Sequence, residues 1–363
     1  MAIGLYIHVP FCKRKCPYCD FYSQSITPDT EIQYVDALIR NIQKYKSTEV
    51  DSIYFGGGTP SVLSDLSFQR IFSAIRNNFR LIEPEISLEA NPCSVDLKKL
   101  EFFREVGFNR ISFGVQSCVD SELKKLGRLH NFEQAKTAIL NAKKAGFYNI
   151  SADLMIGIPE QTSESLSVSL NELSKLPLTH ISAYMLKIEK STPYNTQSII
   201  NILPDEDSVA DLYLQTINEL EKNGFEQYEI SNFSKKGFEC RHNLKYWRCE
   251  EYIGLGPSAH SFFNGKRYEV PRSLDDFISN EFQNEIVNEE HPHTFDEVAM
   301  LRLRLTEGLS KKACEEFNVN FDSIIKKAEP LKKAGLIDIF NDRIVITKEG
   351  FLVSNSIIGK IIY

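Results

Sequence analysis

The chain has 363 residues, 42% hydrophobic and 25% charged, with a formal net charge of -7 and eight cysteines. That composition is globular. No apolar run approaches the ~20 residues of a membrane span, and the acidic balance speaks against nucleic acid as a partner. No basic leader with an apolar stretch and small-residue cleavage site opens the chain, so a cytoplasmic protein with reduced thiols and no disulfide framework is expected.

The first apolar run, Ile3 to Val9, predicts a strand, and directly after it Cys12, Cys16 and Cys19 share one short loop. Three thiolates so close suggest a metal site. An iron-sulfur cube needs a ligand on each of four irons, so three cysteines leave one iron open to an exchangeable group. The spacing leaves two other readings open: a structural zinc with His8 as fourth ligand, or a disulfide pair with a spare thiol.

Five more β-rich runs follow: Ser52 to Gly56, Glu85 to Glu89, Arg110 to Val115, Asn149 to Ile156 and His180 to Leu186. Helical periodicity lies between them. In Glu31 to Tyr45, Ile32, Val35, Leu38, Ile39 and Ile42 form one face, and Leu66 to Phe79, Phe132 to Ala145 and Ser165 to Leu176 read the same way. Strand and helix in alternation predict a parallel sheet, here an incomplete (β/α)6 TIM-like barrel over residues 1–190. Unusual groups recur at the strand ends: the cysteines, then Gly56-Gly57-Gly58-Thr59-Pro60, Glu89, Gln116 and Asp153. That is the rim where such barrels carry their chemistry.

Pro193 and Pro204 mark a change of architecture and an α+β extension over 191–290. It begins with a helix, Asp207 to Asn223, and a strand, Phe225 to Phe233. Then comes an aromatic and histidine-rich stretch, Cys240 to Trp247, running on to Gly254 and His260. Residues 291–363 predict helices at Asp296 to Leu305, Lys311 to Phe317 and Phe321 to Ala334, then a hairpin around Asn341-Asp342. That order is winged-helix-like. Without a dense Arg/Lys recognition helix, a structural or docking role is expected rather than DNA binding.

The C-x3-C-x2-C spacing, the Gly56 to Pro60 loop and the six β/α units together resemble the radical SAM superfamily. The resemblance implies a [4Fe-4S] cluster on Cys12, Cys16 and Cys19, with S-adenosyl-L-methionine (SAM) chelating the open iron. By family match, Tyr6, Gly57, Gly58, Thr59, Glu89, Gln116, Arg128 and Asp153 contact SAM. Their chemistry suits that ligand: a forked guanidinium holds a carboxylate, acidic side chains accept ribose hydroxyls, and glycines admit close backbone approach. Taken singly, each also reads as an ion-pair partner or a cap.

Arg110 to Ser117, Asp153 to Pro159 and Met185 to Pro193 resemble the oxygen-independent coproporphyrinogen III oxidase family, which includes a branch of heme chaperones. Phe21 stands where the oxidase has a further cysteine, and five residues precede Tyr6 where the oxidase has a longer segment. His242-Asn243-Leu244-Lys245-Tyr246-Trp247 matches the HNxxYW signature of the chaperone branch. The resemblance therefore implies heme as cargo, His242 as its ligand, an unidentified acceptor protein, and an electron donor if the cluster is reduced. Radical decarboxylation of coproporphyrinogen III is the alternative. His242 also reads as a histidine hydrogen-bonded within the fold. His260, Cys240 and Cys249 are weaker candidates, and Cys93, Cys118 and Cys314 read as ordinary thiols.

Overall fold

A computed structural model describes residues 2–362. Six strands, β1 (Ile3–Val9), β2 (Glu49–Gly57), β3 (Arg80–Ala90), β4 (Arg110–Gln116), β5 (Asn149–Ile156) and β6 (His180–Met185), pair in parallel and in chain order. Helices α1 (Pro28–Ile42), α2 (Asp65–Asn78), α3 (Leu97–Val106), α4 (Asp120–Lys125), α5 (Phe132–Lys144) and α6 (Ser163–Ser174) make the crossovers. Their starts are written locally: Thr27, Asn131 and Thr162 each accept a bond from a backbone N–H in the first turn of their helix and form capping boxes.

Period-two alternation splits each strand into two unlike faces. One face is apolar, as with Leu5 and Ile7, Ile53 and Phe55, or Ile111 and Phe113, all fully buried. It packs under the helices: Phe55 meets Phe72 of α2 at 5.7 Å and Phe108 at 5.1 Å, and Phe68 meets Phe103 of α3 at 5.3 Å. The other face is polar: Tyr6 and His8, Ser52 and Tyr54, Glu85 and Glu89, Arg110 and Ser112, Ser151 and Asp153, His180 and Ser182. A polar inner face has to be satisfied internally, and it is where the site forms.

The barrel is incomplete, as expected, because β1 and β6 pair with other strands and not with each other. The extension widens the sheet at both edges. Beyond β6 lie β8 (Asn232–Ser234) and β7 (Glu226–Glu229); beyond β1 lie β9 (Tyr252–Leu255), β10 (His260–Phe263), β11 (Lys266–Glu269) and β12 (Ile286–Glu289), completing an open twelve-stranded sheet. The single strand expected from Phe225 to Phe233 is instead a folded-back pair, β7 against β8. The buried Glu229 carboxylate closes that turn, accepting from the Ser231 N–H at 3.1 Å and from the Asn232 side-chain amide. Burial pushes Glu229 up to about 7.

The C-terminal helices Phe295–Arg302, Lys311–Glu316 and Phe321–Lys333 and the hairpin Ile337–Ile339 with Arg343–Ile346 match the expected order. Leu309–Ser310 adds a third strand, and helices Lys348–Phe351 and Ser354–Ile362, absent from the sequence expectation, complete the unit. One buried cluster runs from Ile3 to Ile361. Among the described residues, no helix is long and apolar enough to cross a membrane.

Candidate functional site

The cysteine loop is fastened to the glycine loop by backbone bonds. The Gly58 N–H donates to Val9 O at 2.9 Å and the Thr59 N–H to Phe11 O at 2.7 Å. Both glycines are needed for this approach: a Cβ on Gly58 would lie 2.6 Å from Phe11 O, and one on Gly57, whose φ is +103°, would lie 2.5 Å from the His8 ring. Cys12 Sγ meets the Thr59 hydroxyl at 3.3 Å, Arg128 Nη1 donates to Cys16 Sγ at 3.4 Å, and the Cys19 N–H donates to Cys16 O at 3.1 Å. Asp20 pins the end of the loop to Ser191 at 2.5 Å and to Arg272 at 3.5 Å.

The three thiols are free and partly exposed. A single tetrahedral zinc would need its sulfurs only ~3.7 Å apart, from Zn–S bonds of about 2.3 Å, whereas the corners of an iron-sulfur cube hold them farther apart. Among the described residues, no three His, Cys, Asp or Glu side chains form such a single-ion group. His8 has both ring nitrogens bonded to other groups. Its Nδ1 accepts from the Tyr6 hydroxyl at 3.1 Å and its Nε2 donates to Tyr22 O at 2.9 Å. Burial holds it near 4, so the ring is neutral and both edges are committed. The donor set, three thiols beside a glycine cradle and a guanidinium, fits a cluster with an open corner better than a zinc with His8.

The remaining rim residues form a chain of contacts along the strand ends. Tyr6 lies 6.3 Å from Tyr54, ring to ring, and the Tyr54 hydroxyl donates to Glu89 Oε1 at 2.8 Å. Burial, with the Asp153 carboxyl adding to it, pushes Glu89 up to about 7. Asp153, also raised by burial, accepts from Ser112 at 3.0 Å. Gly114 leaves the space in which Gln116 and Arg128 meet: a Cβ there would be 3.0 Å from Gln116 Nε2 and 3.2 Å from Arg128 Nη2. Arg128 Nη2 donates to Gly114 O at 2.6 Å, while its buried Nε has no partner among the described residues. The eight residues expected at SAM thus come together on one rim. Tyr54 and His8, which hold Glu89 and Tyr6 by hydrogen bonds, lie on the same rim and were not among the eight expected there. Their signal was the alternation that places Tyr54 two residues after Ser52 and His8 two after Tyr6 on the inner face.

His242 lies elsewhere. It sits in the short helix Arg241–Trp247, fully buried, one layer below the rim. Ser52 Oγ is 2.9 Å from its Nδ1 and the Tyr246 hydroxyl 2.7 Å from its Nε2. In this position both ring nitrogens meet hydroxyl groups of the fold, the arrangement of a histidine hydrogen-bonded internally. Burial holds the ring near 3. Trp247 ends the helix, and Cys240 and Cys249 are buried, with thiols pushed up to about 12 and about 11. His260 is exposed at the start of β10, 3.6 Å from Glu269.

An open parallel sheet with a C-x3-C-x2-C loop after its first strand and a glycine loop after its second defines the radical SAM class. Residues 6–173 match the radical SAM superfamily and residues 291–353 the HemN C-terminal domain. The chain is 35% identical to the heme chaperone HemW of Bacillus subtilis, covering 98% of this chain and 97% of that protein, and 34% identical to HemW of Lactococcus lactis, covering 98% and 96%. It belongs to the HemW family of radical SAM proteins. The solved coproporphyrinogen III oxidase HemN of Escherichia coli superposes with a TM-score of 0.85 at 23% identity, covering 99% of this chain and 90% of that one. At that identity the likeness establishes the shared fold.

Proposed function

We propose that this protein is a heme chaperone: it binds heme and hands it to an acceptor protein, with a [4Fe-4S] cluster on Cys12, Cys16 and Cys19 and SAM on the open iron. The observation that carries this reading is the match, over 98% of the chain, to relatives named heme chaperones. Phe21 supports it, 67% exposed beside the third cysteine and free to lie against a porphyrin face. Reduced thiols suit a cytoplasmic setting.

When bound, the cluster and SAM supply one-electron chemistry at the sulfonium. The chain's own residues hold that pair. Arg128 faces the cysteine loop with a spare donor at Nε for the methionine carboxylate, and Glu89 and Asp153 offer acceptors for ribose hydroxyls. Gly57, Gly58 and Thr59 keep the cradle shallow, and Tyr6 and Gln116 line it. Iron ligation calls for a histidine that heme can reach. His260 offers one on the surface; His242 does not.

The test is anaerobic reconstitution followed by hemin titration, read at the Soret band, and transfer of the bound heme to apomyoglobin as a probe acceptor. Coproporphyrinogen III is assayed in parallel with SAM and dithionite. Stoichiometric hemin binding with transfer and no turnover is expected. Turnover of the porphyrinogen would overturn the chaperone reading.

A further inference from the structure

The signature histidine has a different task from the one its motif suggests. Two strands present the same pattern on the inner face: Gly4 then Tyr6 on β1, Ser52 then Tyr54 on β2. The imidazole of His242 fills the layer made by Gly4 and Ser52, directly under the two tyrosines. Its ring centre is 5.3 Å from that of Tyr54, nearly parallel at 26°, and 6.4 Å from that of Tyr6. A Cβ on Gly4 would be 3.1 Å from its Cε1, so glycine at that position gives the ring its room and a larger residue would press on it. We infer that His242 is a positioning residue for the SAM rim, seating Tyr6 and Tyr54 from below, and is not the ligand of the heme iron.

The two tyrosines it supports both reach rim groups. Tyr54 holds Glu89 through its hydroxyl at 2.8 Å, and Tyr6 holds His8 at 3.1 Å. A neutral imidazole donates at one nitrogen and accepts at the other, and hydroxyls on Ser52 and Tyr246 meet both needs. Its element is held as firmly. Glu85 Oε1 accepts from the His242 N–H at 3.3 Å and lies 3.7 Å from Cys240 Sγ, and Lys245 reaches Asp51 at 2.9 Å, Glu250 at 3.1 Å and Ala2 O at 3.1 Å. Freeing His242 for iron would break both imidazole bonds and leave Ser52 and Tyr246 unpaired in the interior. The extension is thereby coupled to the rim, since one of its residues, His242, sets the height of two side chains from the first two strands.

The inference rests on the rim being the SAM subsite, so SAM and heme are measured separately on the same reconstituted protein: SAM by equilibrium dialysis, hemin by its Soret band. In His242→Ala, SAM affinity is expected to fall about tenfold while hemin stoichiometry and Soret position stay those of the wild type. His242→Gln, which keeps a donor and an acceptor in the pocket, should restore most of the affinity. Tyr54→Phe keeps the stack and removes only the hydroxyl on Glu89, so it tests the same chain without emptying the pocket; a several-fold loss of SAM affinity is expected. Unchanged SAM affinity in His242→Ala or in Tyr54→Phe would overturn the inference, as would loss of the Soret band in His242→Ala with SAM binding intact. A wild-type protein that binds hemin but no SAM would instead sink the rim assignment, and the inference with it.

Discussion

Glu89→Gln isolates the cost of the carboxylate at the centre of the rim. Burial, with Asp153 beside it, raises Glu89 from 4.5 to about 7. A carboxyl raised on folding makes the folded state bind the proton more tightly than the unfolded chain. Its contribution is therefore fully present below pH 4.5 and is lost as pH rises toward about 7. At 1.36 kcal/mol per tenfold change in proton affinity, the ionised side chain costs the folded protein at most about 3 kcal/mol. Asp153 shares the effect, which makes this a ceiling. Glutamine keeps an oxygen to accept from Tyr54 and carries no charge, so the stability of the variant relative to wild type should climb between pH 4.5 and 8. Glu229, with the same shift, affects both proteins equally and cancels in the difference. The assay is urea unfolding of cluster-free protein across that range, followed by the fluorescence of the single tryptophan, Trp247. A difference constant to within about 0.5 kcal/mol from pH 4.5 to 8 would refute the reasoning, since each pH unit in the window should otherwise add about 1 kcal/mol.

Gly58→Ala drives a methyl group against three backbone atoms, Phe11 O at 2.6 Å and Phe11 N and Val9 O at 2.9 Å, none of which can rotate away. The cysteine loop must shift, and iron and sulfide analysis after reconstitution should show cluster content well below that of wild type. Phe55→Ala removes a fully buried ring packed among Phe68, Phe72 and Phe108, and thermal unfolding should register a loss of about 3–5 kcal/mol.

Much of the frame was legible in the chain order. Strand starts at Ile3, Arg110, Asn149 and His180 fall where apolar runs begin, and the helices begin at or within three residues of where their faces do. These features depend on neighbours a few residues away: a capping side chain, a period of two or of 3.6, a glycine after the last turn. The cysteine spacing is local as well, and so is the glycine loop that anchors it. The turn within Phe225 to Phe233 was not legible, because it depends on a carboxylate, Glu229, whose burial is imposed by the rest of the fold.

By itself the sequence determined the alternation of strand and helix, the three thiols on one loop and the polar groups at the strand ends, since each is set by spacing along the chain. The tertiary structure decided which partners these groups meet. His242 and Ser52 are 190 residues apart, and their bond, with that to Tyr246, takes both edges of the one imidazole. His8 likewise lies beside the cysteines in sequence yet spends both nitrogens on Tyr6 and Tyr22. A motif specifies which donor is present. Whether its lone pair is available depends on partners that only the folded chain brings within hydrogen-bond distance.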